Sequence, residues 1–511
     1  SDAVRNDSFN WNTTLNEAMD KTGGNASFVV SAGDQIQTTK KKSPGKSEMT
    51  SEIEYTGYLS PDVLKSLPVA TTVGNHDADN ANYTYHFNTP NSSDLGSNGV
   101  VGGDYYFTYG NTLFMMLNTQ DTNAAEHKQF MEQAIAANPN CTWRVVTLHQ
   151  DIYGSAEHSN EPEITNLRYT LVPYFEANDV DVVLTGHDHA YSRTHILEGG
   201  HKTVEYTDDE FDAELDKDMD AGENPATRYE APANISADSK EPADVAYLNY
   251  LNAVMDKDAV EDTEKGETVV NPDGILYMTA NSSSGSKYYD LVPRMQSYIA
   301  NRWQEDVPTY SVIDVTDNTF TINTYRTDND QKIDETFTIK KGVTEDIKSA
   351  SVGNVKNQIY TGKQIQPAIK VTLNGKTLKA GKDYTVTYTD NKNTGLAKAT
   401  INGIGKYTGT QTVTFKIVPK KAVLKTVKAG KSGTATVTIG KAGGKVSGYA
   451  IQVSTDSSFK KVTTYRTAKT TYTLKNLSKG KTYYVRVKAF TKVSDKNVYG
   501  CLLYTSDAAD D

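Results

Sequence analysis

Thr185-Gly186-His187-Asp188-His189 runs straight out of the mainly apolar stretch Val180–Leu184, so two imidazoles one residue apart stand where a strand ends. Alternate residues of a strand share a face, and if the run continues as a strand both rings point the same way. In parallel α/β sheets, ligands gather at the strands' carboxyl ends. Alone, the pair reads equally well as metal ligands or as two solvated histidines in a turn.

Three other short β-rich runs end in the same manner. Phe28-Val29-Val30-Ser31-Ala32 leads into Gly33-Asp34, Val69-Ala70-Thr71-Thr72-Val73 into Gly74-Asn75-His76-Asp77, and Arg144-Val145-Val146-Thr147-Leu148 into His149. Each is followed by a Gly, or directly by a residue that can ligate a metal. Four such endings, offering O and N atoms and no thiolate, point to one hard-to-borderline metal centre.

These ordered motifs resemble those of the calcineurin-like metallophosphoesterases, and within them the purple acid phosphatase branch. The resemblance to that branch includes Tyr153 and His158, four and nine residues after His149, and the run Asp181–Tyr191. It covers roughly residues 11–193. Two departures stand out. The branch's metal-bound Tyr, three residues after the bridging Asp, is Gln37 here, which removes the tyrosinate responsible for purple colour. The family's first Asp, at the end of a first strand, has no counterpart before Asp34; Asp2 and Asp7 are the only acids there, and neither follows a strand.

Composition divides the chain. Residues 342–500 hold 29 Lys and Arg against 6 Asp and Glu, a balance of +23, whereas residues 1–341 hold 24 against 55, a balance of −31. An acidic first part argues against a nucleic-acid binder, since duplex binding rests on phosphate neutralisation. The two cysteines, Cys141 and Cys501, exclude a disulfide framework. No apolar run reaches membrane-spanning length. Ser1 is not a natural start, and residues 501–511 resemble a translated transposase mosaic-end adapter; the sequence is therefore expected to be a metagenomic fragment cut at both ends.

Along the chain, Trp11, Leu15, Ala18 and Met19 fall at helical spacing, with Gly23-Gly24 as the stop. Lys40 to Ser47 reads as a loop and Ser60 to Leu67 as a helix. Residues 105–109 and 112–118 form a hairpin around Gly110-Asn111, residues 124–137 and 164–178 form helices, and residues 274–280, 310–315 and 319–325 form strands. An Asp/Glu-rich insertion at about 204–267 reads as a solvated lid in preference to a calcium site, since it holds no calcium-binding loop motif. The fold expected is α/β: a four-layered α/β/β/α metallophosphoesterase domain over residues 1–341. Two all-β sandwiches follow. Residues 342–420 resemble a bacterial surface Ig-like repeat, and residues 421–500 a C-terminally truncated fibronectin type III module.

The resemblance implies roles. Asp34 would bridge two metal ions, His189 would complete the first site, and Asn75, His149 and His187 the second; Fe, Zn or Mn suits these donors. His76 would face the phosphate and protonate the leaving group, with Asp77 orienting it, while His158 and Tyr153 would contact substrate. His127 reads as helix surface. The activity expected is hydrolysis of phosphate esters, chiefly monoesters, by an exported enzyme at the bacterial cell surface. A phosphodiesterase or nucleotidase, and a catalytically dead surface-binding protein, are the alternatives. The basic tail would either hold an anionic cell wall or polysaccharide or serve as a solvated spacer. With the first Asp absent, the second site should bind metal better than the first. Little activity is expected until an upstream strand and its Asp are restored.

Overall fold

The computed structural model describes residues 8–38, 47–79, 81–199, 209, 213–214, 216, 236, 238–255, 259–261, 268–292, 295–500 and 503–508. Asp2, Asp7, His201, the loop read at 40–46 and most of the acidic insertion lie outside these residues. The chain divides into two compact units, Ser1–Lys341 and Gly342–Asp511.

In the first unit the strands are β1 (Val29–Ser31), β2 (Val69–Thr71), β3 (Tyr105–Tyr109), β4 (Thr112–Met116), β5 (Trp143–Thr147), β6 (Val182–Thr185), β7 (Tyr191–Leu197), β8 (Thr268–Val270), β9 (Ile275–Thr279), β10 (Ile299–Trp303), β11 (Thr309–Val315), β12 (Thr319–Arg326) and β13 (Phe337–Lys340). The helices are α1 (Ser8–Lys21), α2 (Ser47–Tyr58), α3 (Asn82–His86), α4 (Ala124–Ala137), α5 (Pro162–Ala177) and α6 (Pro242–Met255). A seven-stranded sheet runs β10-β7-β9-β6-β5-β4-β3, a four-stranded sheet runs β11-β12-β13-β8, and β1 pairs with β2 alone. Strands β4, β5, β6 and β9 are mutually parallel, while β3, β7 and β10 join antiparallel.

The parallel strands read as unbroken apolar runs because both faces of the sheet are covered. Leu113, Met115, Val146, Val183, Ile275 and Tyr277 pack with Phe130, Met131 and Ala134 of α4 and with Leu171 and Phe175 of α5. The residues between them, Phe114, Val145, Val182, Leu184, Leu276 and Met278, face Phe320, Ile322, Phe337 and Ile339 of the four-stranded sheet. Helix α1 forms the fourth layer. Its Thr14 hydroxyl bonds the Thr327 hydroxyl at 3.0 Å and donates to Ser283 O at 2.7 Å, while Trp11 stacks on Tyr58 of α2.

Two local readings are corrected. Residues 60–67 hold a single 3-10 turn, Asp62–Lys65, rather than a helix. The helix of this region is α2, whose aromatic inner residues Tyr55 and Tyr58 are buried. Strand β6 stops at Thr185, and His187 (φ 70°) and His189 (φ 47°) sit in the left-handed region. The chain must reverse into antiparallel β7 within five residues, and such a reversal needs positive φ where a continued strand forbids it.

The second unit holds two cores. One contains Ile347, Val371, Ala399, Ile401, Phe415 and Ile417, the other Leu424, Val437, Ile451, Val487 and Ala489. Around the second, the three-stranded sheet Val423–Gly430, Thr434–Gly440 and Thr471–Leu474 faces a sheet built of Thr463–Thr467, Gly448–Ser454, Tyr483–Val493 and Lys496–Tyr499. Leu503–Ala508, set aside from the fold on sequence grounds, pairs with Tyr483–Val493 as a further strand.

Candidate metal centre

The loops after β1, β2, β5 and β6 converge, and glycine lets them approach. A Cβ at Gly74 would collide with the Asp34 carboxylate and backbone nitrogen, and one at Gly33 (φ 94°) would lie 2.5 Å from His149 Nδ1. Asp34 itself is left-handed (φ 54°). Residues held in this region are costly and cluster where surrounding structure overdetermines them.

His149 is the hub. Its Nδ1 donates to Ala32 O at 2.7 Å, so in the neutral ring Nε2 carries the lone pair. Nε2 lies 3.0 Å from Asn75 Oδ1, 3.2 Å from Asp34 Oδ2 and 3.1 Å from His187 Nδ1. Asp34, His149 and His187 each offer an atom within 4.8 Å of the others. Four acceptor-type atoms facing one another repel unless a proton or a cation sits among them, and one carboxylate, one amide oxygen and two imidazoles are a donor set for Zn, Fe or Mn. The residues therefore fit a metal ion. Burial would raise the Asp34 carboxyl, but the charge of His149 outweighs it and holds the group well below its usual range. Burial pulls His149 down and Asp34 lifts it above the ordinary value. Burial and the neighbouring His149 push His187 down to about 3, so it is neutral, as a ligand must be.

His189 lines the same cavity, of about 830 Å³, but stands outside the cluster of three. Its Nδ1 donates to Lys287 O at 3.0 Å, its ring packs 5.2 Å from Tyr289, and burial lowers it to about 4. The two histidines of the opening motif thus serve different positions.

His76 borders the cluster, its backbone N–H donating to Asp34 Oδ1 at 3.0 Å. Its ring is oriented by Gln37, whose carbonyl accepts from Nδ1 at 2.8 Å. That corrects the role expected for Asp77. The Asp77 carboxylate accepts from the backbone of Asp34 (2.8 Å) and Gly74 (3.0 Å) and from the Tyr55 hydroxyl (2.8 Å), bracing the two ligand loops against each other. Burial and then Asp34 push it up to about 7. Tyr153 is also corrected: it is 1 % exposed, packed against Tyr277 and Tyr298 with the Arg168 guanidinium over its ring, and belongs to the helix-side core.

His158 does stand at the site, its ring 4.9 Å from that of His187 and 4.5 Å from Tyr289. Glu161, which the sequence reading missed, accepts from its Nδ1 at 2.6 Å; the i,i+3 spacing was the available signal. Burial lowers His158, but the Glu161 bond and charge outweigh it and raise the imidazole. His127, expected on a helix surface, is fully buried; its Nδ1 bonds Asp104 at 2.7 Å and its Nε2 donates to Asp121 O at 2.9 Å. It shares the face of Phe130, Met131 and Ala134, at helical spacing that marked it as inward.

Residues 8–191 match the family model of calcineurin-like phosphoesterases and residues 424–498 that of fibronectin type III domains. An uncharacterized protein of Mycobacterium tuberculosis is 26% identical over 156 residues, covering 26% of this chain and 29% of its own length. A serine/threonine-protein phosphatase of Pongo abelii is 26% identical over 189 residues, covering 34% of this chain and 56% of its own. The chain thus spans between about a third and about half of these curated relatives. A purple acid phosphatase from yellow lupin seeds is similar in structure at 14% identity and a TM-score of 0.41, covering 65% of this chain and 49% of the lupin chain.

Proposed function

Starting from a calcineurin-like metallophosphoesterase domain over residues 8–191 and a fibronectin type III domain over residues 424–498, we propose that the first unit hydrolyses phosphate monoesters with two metal ions. The observation that carries this reading is the approach of Asp34, Asn75 and His187 to one atom, His149 Nε2. Asp34, Asn75, His149 and His187 would hold one ion, and Asp34 with His189 would contribute to the other. Bound there, the ions supply Lewis acidity and activate water.

The protein's own groups do the rest. With Nδ1 committed to Gln37 O, His76 presents Nε2 towards the ester and can bind a phosphoryl oxygen. His158, whose imidazole the Glu161 bond and charge raise, is placed to give a proton to the departing oxygen. Asp77 and Tyr55 keep the Asp34 and Asn75 loops in register. Two imidazoles beside a metal pair can both meet the oxygens of a dianionic ester, and that favours monoesters over diesters. The test is turnover of aryl phosphate mono- and diesters by the full-length protein loaded with Fe, Zn or Mn, beside His149→Ala. Metal-dependent monoester hydrolysis lost in the variant supports the reading; turnover of diesters alone favours the phosphodiesterase, and no metal-dependent turnover of either refutes catalysis.

The sandwich modules support an exported, surface-held enzyme, with residues 342–420 as an Ig-like repeat. Fractionation of cells expressing the full-length protein tests this, and a cytosolic pool alone refutes it.

A further inference from the structure

We propose that the outer face of the second sandwich in the basic unit binds an acidic polysaccharide through cations pre-ordered on aromatic rings. Tyr449, Ile451 and Val453 of the strand Gly448–Ser454 face the core, so Ala450 and Gln452 face outward. The register sets Arg466 on one side of Ala450 and Lys488 on the other, and Thr464 and Arg486 on either side of Gln452. Ala450 makes a low floor across which long side chains can lie, bounded by the Phe490 ring over Gly448. Over it the Arg466 guanidinium donates from Nε and Nη2 to the Tyr499 hydroxyl at 3.3 Å each, and Lys488 Nζ stands 4.2 Å from the centre of the Tyr499 ring. Arg486 lies 4.2 Å over Phe459 and donates to Gln452 Oε1 at 2.7 Å. Arg466 is exposed, and Arg486, Lys488 and Tyr499 are half-buried.

The charge of this region calls for an anionic partner: residues 342–500 carry 29 basic and 6 acidic side chains. Diffuse attraction of that kind is screened and unspecific. The face adds order, because rings that hold cations in place lower the entropy lost when an anion arrives. Arg486 and Lys488 already occupy a face of Phe459 and of Tyr499, rings on which unpaired bases could otherwise stack. Arg486 and Lys488, two residues apart on one strand, present charges roughly 7 Å apart. A flat array of that pitch suits carboxylates or phosphates carried along an extended glycan.

The experiment is binding of the full chain to immobilised polygalacturonate at rising NaCl concentration. Arg466→Gln/Lys488→Gln is compared with the charge-matched pair Lys356→Gln/Lys363→Gln, exposed positions elsewhere in the same unit. Heparin, duplex DNA and anionic phospholipid vesicles serve as competitors. We expect the face variant to lose about tenfold in affinity, the loss of two charge-assisted contacts, while the control changes less than about twofold. Tyr499→Ala should weaken binding in the same direction. Equal losses in both pairs would reduce the effect to net charge, and preference for DNA or vesicles over both glycans would assign another partner. Either result, or no binding by the wild-type chain, overturns the proposal.

Discussion

Replacing Asp334 with Ala should destabilise the first unit more than any surface change. The carboxylate accepts from Arg193 Nε at 2.6 Å and Nη2 at 3.1 Å, from the Tyr191 hydroxyl at 2.7 Å and from Asn301 Nδ2 at 2.6 Å, so it ties β7 and β10 to the approach to β13. The side chains of Arg193 and Asp334 are 11% and 3% exposed. Without Asp334 the guanidinium stays inside with the Phe337 ring and Tyr191 beside it and its carboxylate partner gone. An orphaned buried charge of this kind costs about 3–5 kcal/mol. A melting entropy near 2.1 cal/mol/K per residue, over the 341 residues of the unit, gives about 0.7 kcal/mol/K, and hence a fall in Tm of roughly 4–7 °C. Burial would raise Asp334, but Arg193, Asn301 and Tyr191 outweigh it and hold the carboxyl low. A lowered folded-state value contributes stability that is present above the unfolded carboxyl's pKa, about 3.9, and is lost as pH falls through the folded value. The difference between wild type and variant should therefore shrink in acid. Calorimetry of the full chain at pH 7 and in acid measures this, with Arg193→Met/Asp334→Leu as the companion. A single variant within about 1 °C of wild type, or a double variant as damaged as the single, would refute the orphaned-charge argument.

Gly74→Ala should abolish tight metal binding, because its Cβ meets the Asp34 carboxylate and backbone, and calorimetric titration with Zn reads it; unchanged affinity would mean the loops yield more easily than their contacts imply. Glu161→Gln should lower the pKa of His158, which Glu161 raises. A proton donor is lost as pH rises, so the alkaline limb of the kcat profile should move to lower pH, and an unmoved limb would remove His158 from that role. Tyr153→Ala should leave KM within about twofold while lowering Tm by the equivalent of about 3 kcal/mol, since the ring packs in the core. A KM change without a Tm change would return Tyr153 to the substrate.

What the sequence disclosed and withheld follows physical lines. Strand ends carrying Gly-Asp, Gly-Asn-His or His are legible because both the apolar run and the ligand are local. Asp34, Asn75, His149 and His187 meet for that reason. Which way a side chain turns at such an end is not local. The five-residue reversal into β7 sends His189 to Lys287 O, and no spacing within the motif records the carbonyl waiting there. Asp77 and Tyr153 share the same limit. Each sits at the motif spacing, yet the partners that decide its role, the Asp34 amide for one and Tyr277 and Tyr298 for the other, come from 43 residues away and from β9 and the turn before β10. His127 was different, since its helical phase with Phe130 and Ala134 was there to be read. The edge strand β10, half-buried beyond Ile299, and its neighbour β7 lack the apolar density of β5 and β6.

The seven-stranded sheet, whose parallel strands commit alternate residues to two different cores, also governs how this chain can lengthen. One residue inserted into β4, β5, β6 or β9 would exchange every side chain beyond it between the helix-side and sheet-side cores at once. Growth by insertion is therefore confined to connections, such as that between β7 and β8. Single-residue indels within those strands should not be tolerated by the fold, nor should deletion of residues 259–261, which bond the end of β7 and bring Ala259 into the helix-side core.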